Sequence, residues 1–332
     1  MDQPRPMLAL YCDLRHTAPM RYGVRAIIAA LTLALGIGWM SPTQAEEYPQ
    51  PSWHFLLDSM SYGFSKNVPG MNDWSCKPTA EHPRPVVLVH GTLGAQSTNW
   101  GSYSLAFKRA GYCVFALTYG EFKGKGNFPI RFGGLTNIKG SSKELRNFVK
   151  KVRKRTGAAK VDLVGHSQGG LVIAHYLKKR KGASSVEHAV SLASPFKGVF
   201  AGVWPILIGD LGMWFVSAAL PSYTTFFQQV TGSAFLKSLN KGGVAVPGPK
   251  YLNIVTKYDE IVFPHEIGIM PTKPGASVTN LQIQTVCAND YADHLAISAD
   301  PNVFQVMDHT FSGTPDAPVQ CREVRFITGV VD

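Results

Sequence analysis

The chain has 332 residues, 45% of them apolar and 17% charged, and Lys plus Arg outnumber Asp plus Glu by 33 to 22 for a formal charge of +11. That balance supports one large folded core and excludes a disordered chain. No zinc-finger spacing or aromatic RNA-binding signature accompanies the basic excess, so no nucleic-acid partner is expected.

Residues 1–45 read as a leader. Arg21 and Arg25 precede an apolar run of 14 residues (26–39), and Thr43-Gln44-Ala45 offers small residues for cleavage after Ala45. The run is shorter than the roughly 20 residues a membrane span needs, which leaves an uncleaved anchor as the alternative. Met20 stands just before this segment and is an alternative start to Met1; on that reading residues 1–19 are an upstream extension. The expected organisation is a leader over 1–45 and one domain over 46–332. Cys12 falls in the leader, and Cys76, Cys113, Cys287 and Cys321 remain. Four cysteines in an exported chain suggest two disulfides, with Cys76–Cys113 and Cys287–Cys321 favoured because each pair is local to one end.

Residues 46–85 show no periodicity and read as an N-terminal wrap. Short apolar runs at 85–90, 112–118, 160–164, 188–192 and 251–255 have the look of strands buried on both faces of a parallel sheet. The run 281–286 is a further short strand. Ser141 and Glu144 fit a capping box, and Leu145, Phe148, Val149 and Val152 follow on one helical face opposite a basic one. A second helix is expected over 170–180, and His309 is expected to follow a terminal helix. Alternating strands and helices predict a mostly parallel central sheet covered on both faces. The stretch 196–250, apolar and broken by Gly and Pro, is expected as a cap or lid.

The strongest chemical signal is Gly165-His166-Ser167-Gln168-Gly169, a G-x-S-x-G between a predicted strand and helix. In that setting the serine sits on a strained turn with its hydroxyl raised above the sheet. A serine needs a base to take its proton and a third group to orient the base. In the α/β-hydrolase arrangement these follow in the order Ser, acid, His. Asp259 ends a strand-to-loop segment and is the candidate acid, with Glu260 the nearest rival and Asp290 and Asp293 weaker. His294, in a polar turn after the last strand, is the candidate base, ahead of His265 and His309. Oxyanion donors are expected from the backbone N–H groups of Gln168 and of Thr92 in the His90-Gly91-Thr92 loop.

These segments together resemble the secreted class 2 lipases common in actinomycetes. The resemblance rests on 85–100 (PVVLVHGTLGAQSTNW), 111–120 (GYCVFALTYG), 156–170 (TGAAKVDLVGHSQGG), 253–264 (NIVTKYDEIVFP) and 293–301 (DHLAISADP). It implies the α/β-hydrolase fold, a Ser167–Asp259–His294 triad, Thr92 and Gln168 as oxyanion donors, the same disulfide pairs, and neither cofactor nor metal. The implied activity is hydrolysis of acylglycerols or related apolar esters by a secreted monomer, with transient contact at a lipid surface. Acyl transfer, thioester or polyester cleavage by the same triad is the alternative, and a non-catalytic lipid-binding protein the more distant one.

Overall fold

The computed structural model describes residues 48–63, 68–121, 132–203 and 224–330. Residues 44–332 form one compact unit. The expected leader and residues 204–223 of the expected cap lie outside the described residues.

Six strands build the central sheet: β1 (Val86–Val89), β2 (Val114–Leu117), β3 (Val161–His166), β4 (Val186–Leu192), β5 (Lys250–Val255) and β6 (Ser277–Gln282). Their order is β2-β1-β3-β4-β5-β6, and every pairing is parallel. All residues of β1, β2 and β3 are buried, which is why β1 and β2 read as unbroken apolar runs and β3 as one interrupted by Asp162. The sixth strand differs from expectation. It begins at Ser277, is an edge strand with half of its residues exposed, and Ile283–Thr285 is a 3-10 turn.

Alternate strand residues feed two core layers. On one face Val87, Val89, Phe115 and Leu163 pack against α3 (Ile138–Thr156), α4 (Gln168–Lys179) and α6 (Ala234–Asn240). On the other, Val86, Leu88, Val114 and Val164 pack against α2 (Gly101–Arg109) and α7 (Pro301–Ser312). An N-terminal helix, α1 (Phe55–Tyr62), and a short α5 (Thr224–Gln228) complete the helices used below. A two-stranded ribbon, β7 (Val324–Arg325) with β8 (Gly329–Val330), ends the described chain.

Three local readings need correction. Helix α3 is capped four residues before the expected Ser141, at Asn137, whose side chain accepts the Lys139 N–H at 2.9 Å. Ser141 is then interior, and the Glu144 carboxylate accepts instead from the Gly120 N–H at 3.2 Å. His309 lies inside α7 rather than after it. Within 196–250, Phe196 and the α6 residues Phe235, Leu236 and Leu239 belong to the main core, so that part covers the sheet. Val199, Val203 and Phe226 form a separate apolar cluster with Leu135 and Val262.

Disulfides join Cys76 to Cys113 and Cys287 to Cys321, with Cα separations of 5.8 and 5.5 Å. Among the described residues no helix is long and apolar enough to cross a membrane.

Candidate active site

Ser167 stands between the end of β3 and the first residue of α4 with φ 51° and ψ −121°. A non-glycine residue there is strained by about 1–3 kcal/mol and must be held by its surroundings. Its N–H donates to the Leu192 carbonyl at 2.8 Å, anchoring the turn to β4. A Cβ at Gly169 would collide with the Val89 carbonyl oxygen, so only glycine lets α4 start so close to β1. Ser167 retains 8% exposure, and the N-terminus of α4 favours negative charge beside it.

The sheet then brings two distant loops to this turn. After β5, Asp259 is nearly buried, and one of its oxygens accepts the N–H groups of Ile261 at 3.0 Å and Val262 at 2.7 Å. After β6, His294 Nδ1 lies 3.0 Å from both Asp259 oxygens. Burial works against the charge on each partner. Their mutual attraction and hydrogen bond outweigh it, holding Asp259 below and His294 above its ordinary value. The two loops are also stitched by their backbones: Glu260 accepts the His294 N–H at 3.0 Å, and the Thr256 hydroxyl donates to the Ala292 carbonyl at 2.6 Å.

His166, the residue before the serine, reaches His294 directly. Its Nε2–H donates to the His294 carbonyl at 2.7 Å, and the two rings lie 5.0 Å apart. Burial, then the neighbouring His294, push His166 down to about 3, so it is a neutral donor.

With this geometry in view, the comparisons with known proteins are direct. The class 2 lipase family profile matches residues 83–306, about two thirds of the chain. The chain belongs to the class 2 lipase family. Among solved structures it is similar to Aspergillus fumigatus lipase B at 18% identity and TM-score 0.53, over 76% of this chain and 56% of that one. It is also similar to a Bacillus licheniformis lipase in mature form at 18% identity and TM-score 0.50, over 70% of this chain and 94% of that one. At these identities the likeness is one of fold, the α/β-hydrolase fold. The chain spans little more than half the length of the Aspergillus protein.

In this lipase-family chain the loop of His90, Gly91 and Thr92 lies against the nucleophile turn: a Cβ on Gly91 would sit 3.1 Å from that of Ser167. The loop is pinned from behind. Gly91 N–H donates to Asn99 Oδ1 at 3.0 Å, and His90 Nδ1 bonds the Gly91 carbonyl at 2.7 Å. His90 Nε2 accepts the Tyr119 N–H at 3.2 Å, which fixes a neutral tautomer; burial lowers its pKa to about 4. The fully buried Gln168 side chain ties everything together. Its Nε2 shares two N–H donors among the Thr92 hydroxyl, the Gly134 carbonyl and the Thr225 hydroxyl, and its Oε1 lies 3.1 Å from the Tyr119 hydroxyl, which also donates to the His90 carbonyl at 2.7 Å. Thr92 Oγ1 accepts a second N–H from Gln229 at 3.0 Å.

The rival candidates are engaged elsewhere. Asp290 accepts from Ala292 N–H and Asn302 Nδ2, and Asp293 from the N–H groups of Leu295, Ala296 and Ile327. Asp293 thus straps the His294 turn to the terminal ribbon, which the Cys287–Cys321 bridge and an Asp290–Val324 pairing hold in place. His265 bonds Gln282 and Glu266. His309 lines a 720 Å³ cavity with His188 and Lys250, whose positions at or near the N-terminal ends of β4 and β5 put it at the opposite end of the sheet from Ser167. Among the described residues no cluster of His, Cys, Asp and Glu is arranged to hold a metal. Sequence reading missed the tethers Asn99, Tyr119, Gly134, Thr225 and Gln229. The one available signal was an uncharged polar Gln168 at a position the fold buries.

Proposed function

We propose that this class 2 lipase-family chain is a secreted serine ester hydrolase acting on apolar carboxylic esters through Ser167, Asp259 and His294. The observation that supports the reading is the Asp259–His294 pair, tied by His166 to the strained turn of Ser167. His294 takes the Ser167 proton as Oγ attacks the ester carbonyl, and Asp259 orients and stabilises the imidazolium. The backbone N–H groups of Thr92 and Gln168 receive the developing oxyanion. The imidazolium returns its proton to the leaving alcohol, and an acyl-serine remains. Water, deprotonated by the same histidine, releases the carboxylic acid. No step calls on a cofactor.

The apolar cluster of Val199, Val203, Phe226 and Val262 lines the acyl-binding site in this reading. Residues 1–45 are removed on export, and the two disulfides suit an oxidising compartment. The deciding experiment compares hydrolysis of p-nitrophenyl butyrate and palmitate by residues 46–332 and by the Ser167→Ala variant. Activity should vanish in the variant. Undiminished activity there, or none from a folded sample of the parent, overturns the assignment.

A further inference from the structure

Charge is unevenly spread over the molecule. Among the described residues from 132 to 250 there are 17 Lys and Arg but only three acids, Glu144, Asp162 and Glu187. All three acids are engaged: Asp162 by Arg84 and His188, Glu187 by Lys160 and Lys250, and Glu144 by the Gly120 N–H. The surplus therefore faces outward from the layer of α3, α4 and α6. Along α3, Lys139, Lys143, Lys150 and Lys154 recur at i, i+4, i+11 and i+15, one line on the helix surface about 22 Å long. All four are exposed. Lys179 and Lys181, also exposed, extend the patch, since the Arg180 guanidinium between them donates to the Lys139 carbonyl at 2.8 Å. Among the described residues none of these six ammonium groups is in an ion pair. The local potential is felt inside the layer: burial, then Arg180, Lys139 and Lys179, depress His175 to about 4.

A helix face evolved merely to stay wet mixes signs at i and i+4, because like charges there repel. This one is unmixed, and it leads toward the site. Gln228 of α5 joins its N-terminal end through bonds to Asn137 and to the Ile138 N–H, and the next residue, Gln229, bonds Thr92. Beside Gln228, Phe227 is 69% exposed. Phe200 and Phe263 are comparably exposed, and each of the three is the chain neighbour of a buried member of the apolar cluster at the site: Val199, Phe226 or Val262. Exposed aromatics bordering a line of cations are the two halves of an interfacial contact. The rings enter the acyl boundary while the ammonium groups meet the headgroups.

We propose that the α3 lysine line and the exposed Phe200, Phe227 and Phe263 form one docking surface for an anionic phospholipid bilayer. Attachment there turns the Ser167 end of the sheet toward the membrane. The surface is independent of the hydrolytic reading, because it needs neither the triad nor turnover.

The test uses residues 46–332 carrying Ser167→Ala, so that no lipid is consumed; this unit contains every core cluster and both disulfides. Co-flotation is measured with vesicles of phosphatidylcholine alone and with 30% phosphatidylglycerol, at low and at 0.5 M salt. Binding should require phosphatidylglycerol and fall away at high salt. Each lysine near such a surface contributes roughly fivefold to partitioning, so the combined Lys143→Glu, Lys150→Glu, Lys154→Glu variant should lose well over tenfold. The same three substitutions in the Ser167 parent should leave hydrolysis of soluble p-nitrophenyl butyrate intact, which separates loss of docking from loss of fold. Equal binding to the two vesicles, unchanged binding by the triple variant, or capture of duplex DNA with no binding to the anionic vesicles would overturn the proposal.

Discussion

His294 sits between opposing pressures. Burial disfavours its charged form, yet the Asp259 carboxylate and the bond to it prevail, and the pKa rises above 6.5. A general base must be neutral, so activity is low below this pKa and climbs as pH passes it. The profile of kcat/KM should therefore show its acid limb above pH 6.5. Asp259→Asn removes the counter-charge and leaves only burial, so the limb should move to lower pH while the rate drops by about 10⁴-fold. A limb that stays in place would mean that another group controls it. The Gln168 carboxamide can be tested as simply. Gln168→Leu removes the amide that serves the Gly134 carbonyl and the Thr225 hydroxyl inside the protein, at about 1–3 kcal/mol for each unsatisfied group. A lower urea midpoint should accompany a lower kcat. An unshifted midpoint would show that the tether is dispensable.

At the level of elements, what the sequence announced depended on burial. Strands β1 to β5 lie inside the sheet or beneath helices, so their apolar runs were visible within a residue or two at most ends. Strand β6 lies at the edge with Ser277, Thr279 and Asn280 exposed, and apolarity pointed to the segment just after it. Capping was misread for a different reason. Ser141 and Glu144 have the right spacing, but Asn137 stands one turn earlier, and nothing local ranks two adequate caps. Asn137→Ala should cost about 1 kcal/mol of stability, seen as a lower denaturation midpoint, since it removes the α3 cap and the acceptor for Gln228. The turn at Ser167 was legible because it imposes a dense local code of glycines around one serine. Asp259 and His294 carry no such code; chain order, their places after a strand and the family resemblance singled them out. Tyr119, Thr225 and Gln229 were illegible, because they matter only through convergence on Gln168 and Thr92 from separate parts of the chain.

Over the whole molecule, the two disulfides serve different neighbourhoods. Cys76–Cys113 fastens the N-terminal wrap beside β2. Cys287–Cys321 closes a 34-residue separation that contains His294, a closure that stabilises by roughly 3–4 kcal/mol in the chain-entropy account. The Cys287→Ser, Cys321→Ser double variant should melt earlier. It should also lose activity at temperatures where the far-ultraviolet circular dichroism is still native, because the ribbon that steadies the His294 turn loosens first. Coincident loss of both signals would deny the ribbon that local role.

That ribbon also sets a clock. A polypeptide emerges N-terminus first, so the oxyanion loop and Ser167 are complete long before residues 321–330 exist to fasten the base. A ribosome that stalls, or a protease that trims the tail, leaves a protein with the Ser167 turn in place and the His294 turn unfastened. On the proposed mechanism, hydrolytic power is the last thing the nascent chain acquires.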